Sequence, residues 1–159
     1  MPKILVLTFV SAFIFNVCSP KIESTPVQSA GRNLDFVGTL DFVDETSSVI
    51  STIDIAVADD DMTRSQGLMD VRELKSDGGM LFIFEAETRQ SFWMANTPLP
   101  LDLIFVDMDK KIVHIHQNAT PFSQSGIDSV NPAMYVVEVN AGYAVNHDLK
   151  PGQTISFNY

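Results

Sequence analysis

The chain has one cysteine, Cys18, in 159 residues. That excludes an internal disulfide and a cysteine-built zinc site, and it leaves no usable thiol nucleophile. Basic residues are also scarce. Ten Lys and Arg stand against twenty Asp and Glu, for a net charge of −10. Phosphate-rich partners need clustered Lys and Arg, so nucleic acid and anionic membrane faces are excluded. The surplus acid reads as a solvated surface that keeps the chain soluble. A glycine-rich phosphate loop, a persuasive Ser, His, Asp order and an internal repeat are missing too. Tryptophan occurs once, as Trp93.

What is present begins with a leader. Lys3 is a minimal basic start, and residues 4–15 are an uncharged, mostly apolar run, too short to span a bilayer as a lasting helix. Residues 1–18 therefore read as a signal peptide or lipoprotein leader, with export to the periplasm or cell envelope. Cys18 follows the apolar run as a lipid acceptor would, although the bulky Val17 replaces the small residue usual before it; a spare cysteine removed with the leader is the alternative. Contact with the membrane is expected only through that N-terminal anchor. Residues 19–33, with Pro20, Pro26 and Gly31, read as a flexible linker. Residues 34–159 suffice for one domain whose core folds without staples.

Residues 34–43 and 49–57 alternate in polarity as half-buried strands do, Ile53, Ile55 and Val57 facing one way and Thr52, Asp54 and Ala56 the other. Asp59, Asp60 and Asp61 precede a short helix at 62–66 that Gly67 ends. They read as cap and first-turn acids, not as a metal loop. Strands at 80–84 and 90–96 flank an acidic turn at 85–88. Pro98 and Pro100 then force a rigid extended corner over 97–100. Residues 101–106 are apolar on both sides except for Asp102. A tight turn at 107–110 returns the chain as a hairpin arm at 111–116. Residues 118–132 form a long polar loop of the kind that often serves as a lid. A strand at 135–139 leads to Asn140 as the N-cap of a helix over 141–149, and 154–157 closes the chain as a strand. These elements predict a mainly β fold: a small antiparallel β-barrel or sandwich with one short early helix and one C-terminal helix before the last strand.

Phe92 and Trp93 alternate on a strand, so they face opposite sides. Both are packing aromatics on the plainer reading; on the functional one, Trp93 lines a groove and stacks on a flat ligand. A free carboxylate at Asp102 would be costly, so it is expected to accept N–H groups from the 96–100 corner and fix it. Glu138 occupies the opposite phase of its strand from Tyr135, Val137 and Val139. Were Asp102 and Glu138 to face one cleft, they could do acid–base work on a glycosidic bond, which makes a carboxylate-dependent hydrolase the alternative function. Met62, Met69, Met80, Met94, Met108 and Met134, with His114 and His116, raise periplasmic copper binding as a lesser option. The methionines lack clustered spacing and several suit a core, so no metal site and no cofactor is expected.

Gly67-Leu68-Met69, Gly79-Met80-Leu81-Phe82 with Phe84, Phe92-Trp93-Met94 with Asn96-Thr97, Pro100-Leu101-Asp102, Phe105 with Asp107, and Tyr135 with Glu138, Ala141 and Gly142 together resemble the domain of unknown function 192 (DUF192) family. The order and spacing fit over about residues 48–158. The resemblance implies a compact, mostly β fold, often exported in bacteria, with no settled biochemical activity. Family members often carry bases just before Gly-Leu-Met, shortly after it, and between Met94 and Asn96. This chain has Gln66, Val71 and Ala95 there, with Arg72 one step late, so an anion held by those bases would be held weakly here.

The expectation is an exported monomer, more a binder than an enzyme, that takes a small molecule or an envelope protein. Its groove would lie beside Trp93, Asn96, Thr97 and Asp102, with Glu138 a further ligand-binding candidate.

Overall fold

The computed structural model of the protein describes residues 31–159. The leader, Cys18 and the linker up to residue 30 lie outside the described residues.

The chain opens with the hairpin β1 (Gly38–Val43) and β2 (Val49–Ala58), then the single-turn helix α1 (Asp61–Gln66). Long β3 (Gly78–Thr88), short β4 (Ser91–Phe92) and the hairpin β5 (Leu101–Val106) and β6 (Ile112–Ala119) follow. Short β7 (Ile127–Asp128), β8 (Ala133–Asn140), α2 (Tyr143–Asn146) and β9 (Thr154–Asn158) complete it. Seven strands form one sheet in the order β6-β5-β8-β3-β2-β1-β9, and β4 pairs with β7 beside it.

The mainly β fold with two small helices is as expected, but the sheet is mixed. β2 and β3 run parallel, Val57 opposite Leu81, and every other pair is antiparallel. Parallel neighbours need a crossover, and residues 59–77, which contain α1, supply it. The sheet also curls until its edges touch at one end. Ile112 N–H donates to Gln153 O (2.8 Å), Ile155 N–H to Lys110 O (2.9 Å), and Lys111 bridges Thr154. It is not a closed barrel and is sandwich-like.

Curling gives the sheet two buried faces. All seven strands send residues to the concave one, among them Leu40, Ile53, Leu81, Ile104, Val137 and Ile155, with Tyr143, Ala144 and Leu149 packed in from the α2 region. On the convex face over β3, β5 and β8, Met80, Phe82, Leu103, Phe105 and Val136 pack under Leu68, Val71, Leu74, Met94 and Ile127 from the connections. β5 is therefore buried at every residue, which is why its sequence is apolar on both sides.

Several boundaries differ from the sequence reading. The strand expected at 90–96 is only β4, because Thr97 N–H turns back to Met94 O (3.1 Å) with Asn96 at φ +55°. Residues 85–88 continue β3 and are not a turn. The loop at 118–132 contains the last residues of β6 and all of β7. Asn140 does not cap a helix; it ends β8, and its side chain donates to Leu74 O and Lys75 O (both 3.0 Å). Helix α2 is one turn, started by Gly142 at φ +86°. Asp60 caps α1 as expected, accepting from Met62 N–H (2.8 Å) and Thr63 N–H (2.9 Å). Arg32 already docks on the domain. Its N–H donates to Asp70 O (2.8 Å) and its guanidinium to Met69 O (3.1 Å) and Gly67 O.

Candidate functional site

β4 turns the two neighbouring aromatics apart. Phe92 points down, its ring edge-on to Phe82 (5.1 Å), Phe105 (6.0 Å) and Phe84 (6.2 Å). Trp93 points out and is 54% exposed. The chain that follows is held by three backbone bonds to two other segments: Met94 N–H to Ser123 O (3.0 Å), Phe122 N–H to Thr97 O (3.1 Å) and Asp70 N–H to Asn96 O (2.9 Å).

Beneath this corner lies Glu138. It sits mid-strand in β8 between Met80 of β3 and Leu103 of β5, on the convex face, and is 4% exposed. It has no hydrogen-bond or ion-pair partner among the described residues. Burial alone pushes its carboxyl up to about 8.

The carboxyl faces a narrow recess of about 40 Å³, walled by Gly67, Leu68 and Met69 on one side, Phe82, Phe92 and Trp93 on the other, and Thr97 at the corner. That volume holds little more than one or two waters. It adjoins a wider outer groove of about 270 Å³ along Phe84, Ser91, Phe92 and Trp93. Gly67 shapes the wall. At φ +45° and ψ −130° a side chain would be strained, and a Cβ there would lie 3.2 Å from the Phe82 ring.

Arg64 and Glu138 are the charged residues that line the recess. Arg64 does not pair with Glu138, because its guanidinium is committed elsewhere. It donates to Asp59 O (2.9 Å), Ile83 O (2.7 Å), Asp61 (2.7 Å) and Glu85 (2.9 Å).

Of the expected site residues, Trp93, Thr97 and Glu138 are brought together. Asp102 is not with them. The register sets Asp102 opposite Val139 and Leu103 opposite Glu138, so the two carboxylates project from opposite faces of the sheet. Asp102 is wholly buried on the concave side. It accepts from Asn118 N–H (2.8 Å) and Ala144 N–H (3.0 Å), not from the 96–100 corner. With no shared cleft, the two-carboxylate hydrolase loses its geometric premise. Asn96 is exposed in the turn and does not line the recess.

His114 and His116 share a face of β6, and His114 stacks on Phe105 (5.7 Å). Burial first, and then His116, lowers the His114 pKa. Met80 and Met94 are core while Met62 and Met108 are exposed, so the thioethers do not converge. Among the described residues no group of three or more His, Cys, Asp or Glu is placed to hold a metal. Of the three places noted for missing bases, Gln66 lines the recess, whereas Val71 and Ala95 are buried in the core.

Sequence reasoning missed Gly67, Leu68 and Phe82 as walls. The signal available was the Gly67-Leu68-Met69 run, but only the fold brings it to Trp93. A larger hollow, about 430 Å³, lies elsewhere, between Asp44–Thr46 and His147–Lys150. The Asp44 carboxylate there is occupied by the N–H groups of Thr46 and Ser48, and the hollow is an open surface feature.

The family model DUF192, described as an uncharacterized ACR, matches residues 42–157. A crystal structure of a candidate transcription regulator from Sinorhizobium meliloti 1021 is similar, with 34% identity and a TM-score of 0.74. The match covers 79% of this chain and 98% of that one. A protein of unknown function from Novosphingobium aromaticivorans DSM 12444 is 29% identical with a TM-score of 0.72, over 82% of this chain and 89% of the other. Among curated proteins nothing matches.

Proposed function

From the premise that this chain belongs to the DUF192 family, whose activity is undefined, we propose that it binds a small molecule in the recess between Trp93 and Glu138. The observation that carries this is a half-exposed indole beside a deeply buried, unpartnered carboxyl that faces open space. Such a group costs stability if it serves structure alone, and it supplies orientation if a ligand meets it. Of the groove expected beside Trp93, Asn96, Thr97 and Asp102, this reading keeps Trp93 and Thr97, adds Glu138 beneath them and leaves out Asn96 and Asp102.

The domain acts after export, in the periplasm or cell envelope, tethered through a lipid on Cys18. Support comes from the apolar leader with its adjacent cysteine. Transcription regulation, the role named for the Sinorhizobium relative, would suit this chain poorly wherever it calls for contact with DNA, since a net charge of −10 works against phosphate.

Native mass spectrometry of the tag-free mature domain tests the binding reading. A small-molecule adduct is expected, and it should be lost in Trp93→Ala and in Glu138→Gln. An adduct that survives both substitutions places binding elsewhere. Cell fractionation tests the tether: Cys18→Ser should move the protein from the membrane fraction to the soluble one.

A further inference from the structure

We propose that the recess selects a primary ammonium group, which seats against the Glu138 carboxylate while the rest of the ligand runs along Phe92 and Trp93 in the outer groove. This rests on the recess being the binding site and adds the class of ligand.

Three features favour a cation. First, the recess offers an acid and no available base. Arg64, the other charged residue lining it, already donates to four oxygen acceptors and has little to give an anion. Second, the walls near Glu138 include Phe82, Phe92 and Trp93, and aromatic faces attract ammonium groups most where water is excluded. Third, a net charge of −10 concentrates cations around the molecule. Size narrows the class. About 40 Å³ admits a group near the size of a water or two, so a primary ammonium fits, while a quaternary ammonium or a sugar ring stays in the outer groove. A primary ammonium also donates hydrogen bonds to Glu138, which a quaternary one cannot.

Binding is linked to a proton. With the recess empty, the carboxyl stays protonated until about pH 8. An arriving ammonium favours the carboxylate, so the Glu138 proton leaves to solvent as the ion pair forms. Around Glu138, β3 contributes Met80, β5 contributes Leu103, the corner contributes Trp93 and Thr97, and α1 contributes Arg64, which does not titrate in this range. Affinity for an amine should therefore follow Glu138 ionisation and rise with pH, by about tenfold between pH 7 and pH 9.

Trp93, the sole tryptophan, reads the site directly. Its fluorescence is titrated with methylammonium, tetramethylammonium, acetamide and acetate at constant ionic strength. Methylammonium should saturate, more tightly at the higher pH, and calorimetry in two buffers of different ionisation enthalpy should detect proton release on the unmodified protein. Glu138→Gln, checked by circular dichroism for its fold, should lose the response. If acetamide or acetate saturates and methylammonium does not, the ammonium assignment falls while the recess stands. Equal binding of tetramethylammonium, or an unchanged methylammonium response in Glu138→Gln, also overturns the assignment. If no probe moves the fluorescence, the ammonium assignment fails, and the adduct measurement decides the recess separately.

Discussion

A carboxyl at position 138 costs the folded protein energy whenever it is ionised. In the unfolded chain Glu138 titrates near its ordinary 4.5; in the folded one, burial holds it up to about 8. Between those values the unfolded chain has lost the proton and the folded one keeps it, so stability falls as pH rises across that window and levels off above it. The loss is on the order of a few kcal/mol. Urea unfolding of the unmodified domain and Glu138→Gln at about pH 5 and pH 9 checks this, and the variant should lack that part of the pH dependence. At Trp93 the expectation is the reverse: the side chain is half-exposed, so Trp93→Ala should change stability by less than about 1 kcal/mol while the ligand adduct in native mass spectrometry is lost. Both roles were half-written in the sequence. Alternation alone set Trp93 against Phe92, and Glu138 against Val137 and Val139. Which side held space for a ligand depended on what covers each face.

At the scale of elements, β5 shows why Asp102 accepts backbone N–H groups, as expected, yet from other donors. An acid inside an apolar strand must find donors, and the nearest donors in sequence lie in the 96–100 corner. The donors it uses come from far along the chain. The β5–β6 register shifts between Leu101 and Leu103, where Asn118 stands at φ +55°, and one Asp102 oxygen takes the Asn118 N–H. The other takes Ala144 N–H in the first turn of α2, a helix that Gly142 starts without any side-chain cap. A residue on a strand thus does an N-cap's work for a helix. Asp102→Ala should cost roughly 2–5 kcal/mol in urea unfolding, with Asp102→Asn between it and the unmodified domain, because each buried N–H left without a partner costs about 1–3 kcal/mol. Hydrogen exchange should quicken first at Asn118 and Ala144. The same dependence on distant pairing explains Asn140. Its residue type suits a helix cap, but its amide is claimed by Leu74 and Lys75, which no local pattern announces.

For the whole molecule, most strands and the tight turn at 107–110 were legible because a strand carries its own period and a turn its own residues. β7, however, lay hidden in the expected 118–132 loop, and the expected turn at 85–88 is the end of β3. The parallel β2–β3 pair and the meeting of β9 with β6 were not legible either, since nothing near either segment names its neighbour. β9 is hydrogen-bonded to β1 along its length and touches β6 at its start, so it fastens both margins of the sheet. Ending the chain after Lys150 should uncover Leu40 and Phe42 on the concave face and abolish cooperative thermal unfolding. A sharp melting transition in that truncated chain would show that the other six strands hold together unaided.

The division between a ladder-bonded inner layer and a covering of connections has an evolutionary reading. Residues 67–75 and 93–99 contribute no rung to the seven-stranded sheet, yet through Gly67, Leu68, Met69, Trp93 and Thr97 they furnish half of the residues that enclose Glu138. On the proposed binding role, natural variation would redraw ligand choice by editing two short stretches, with the framework untouched. Transplanting that pair of stretches between relatives should carry specificity with it.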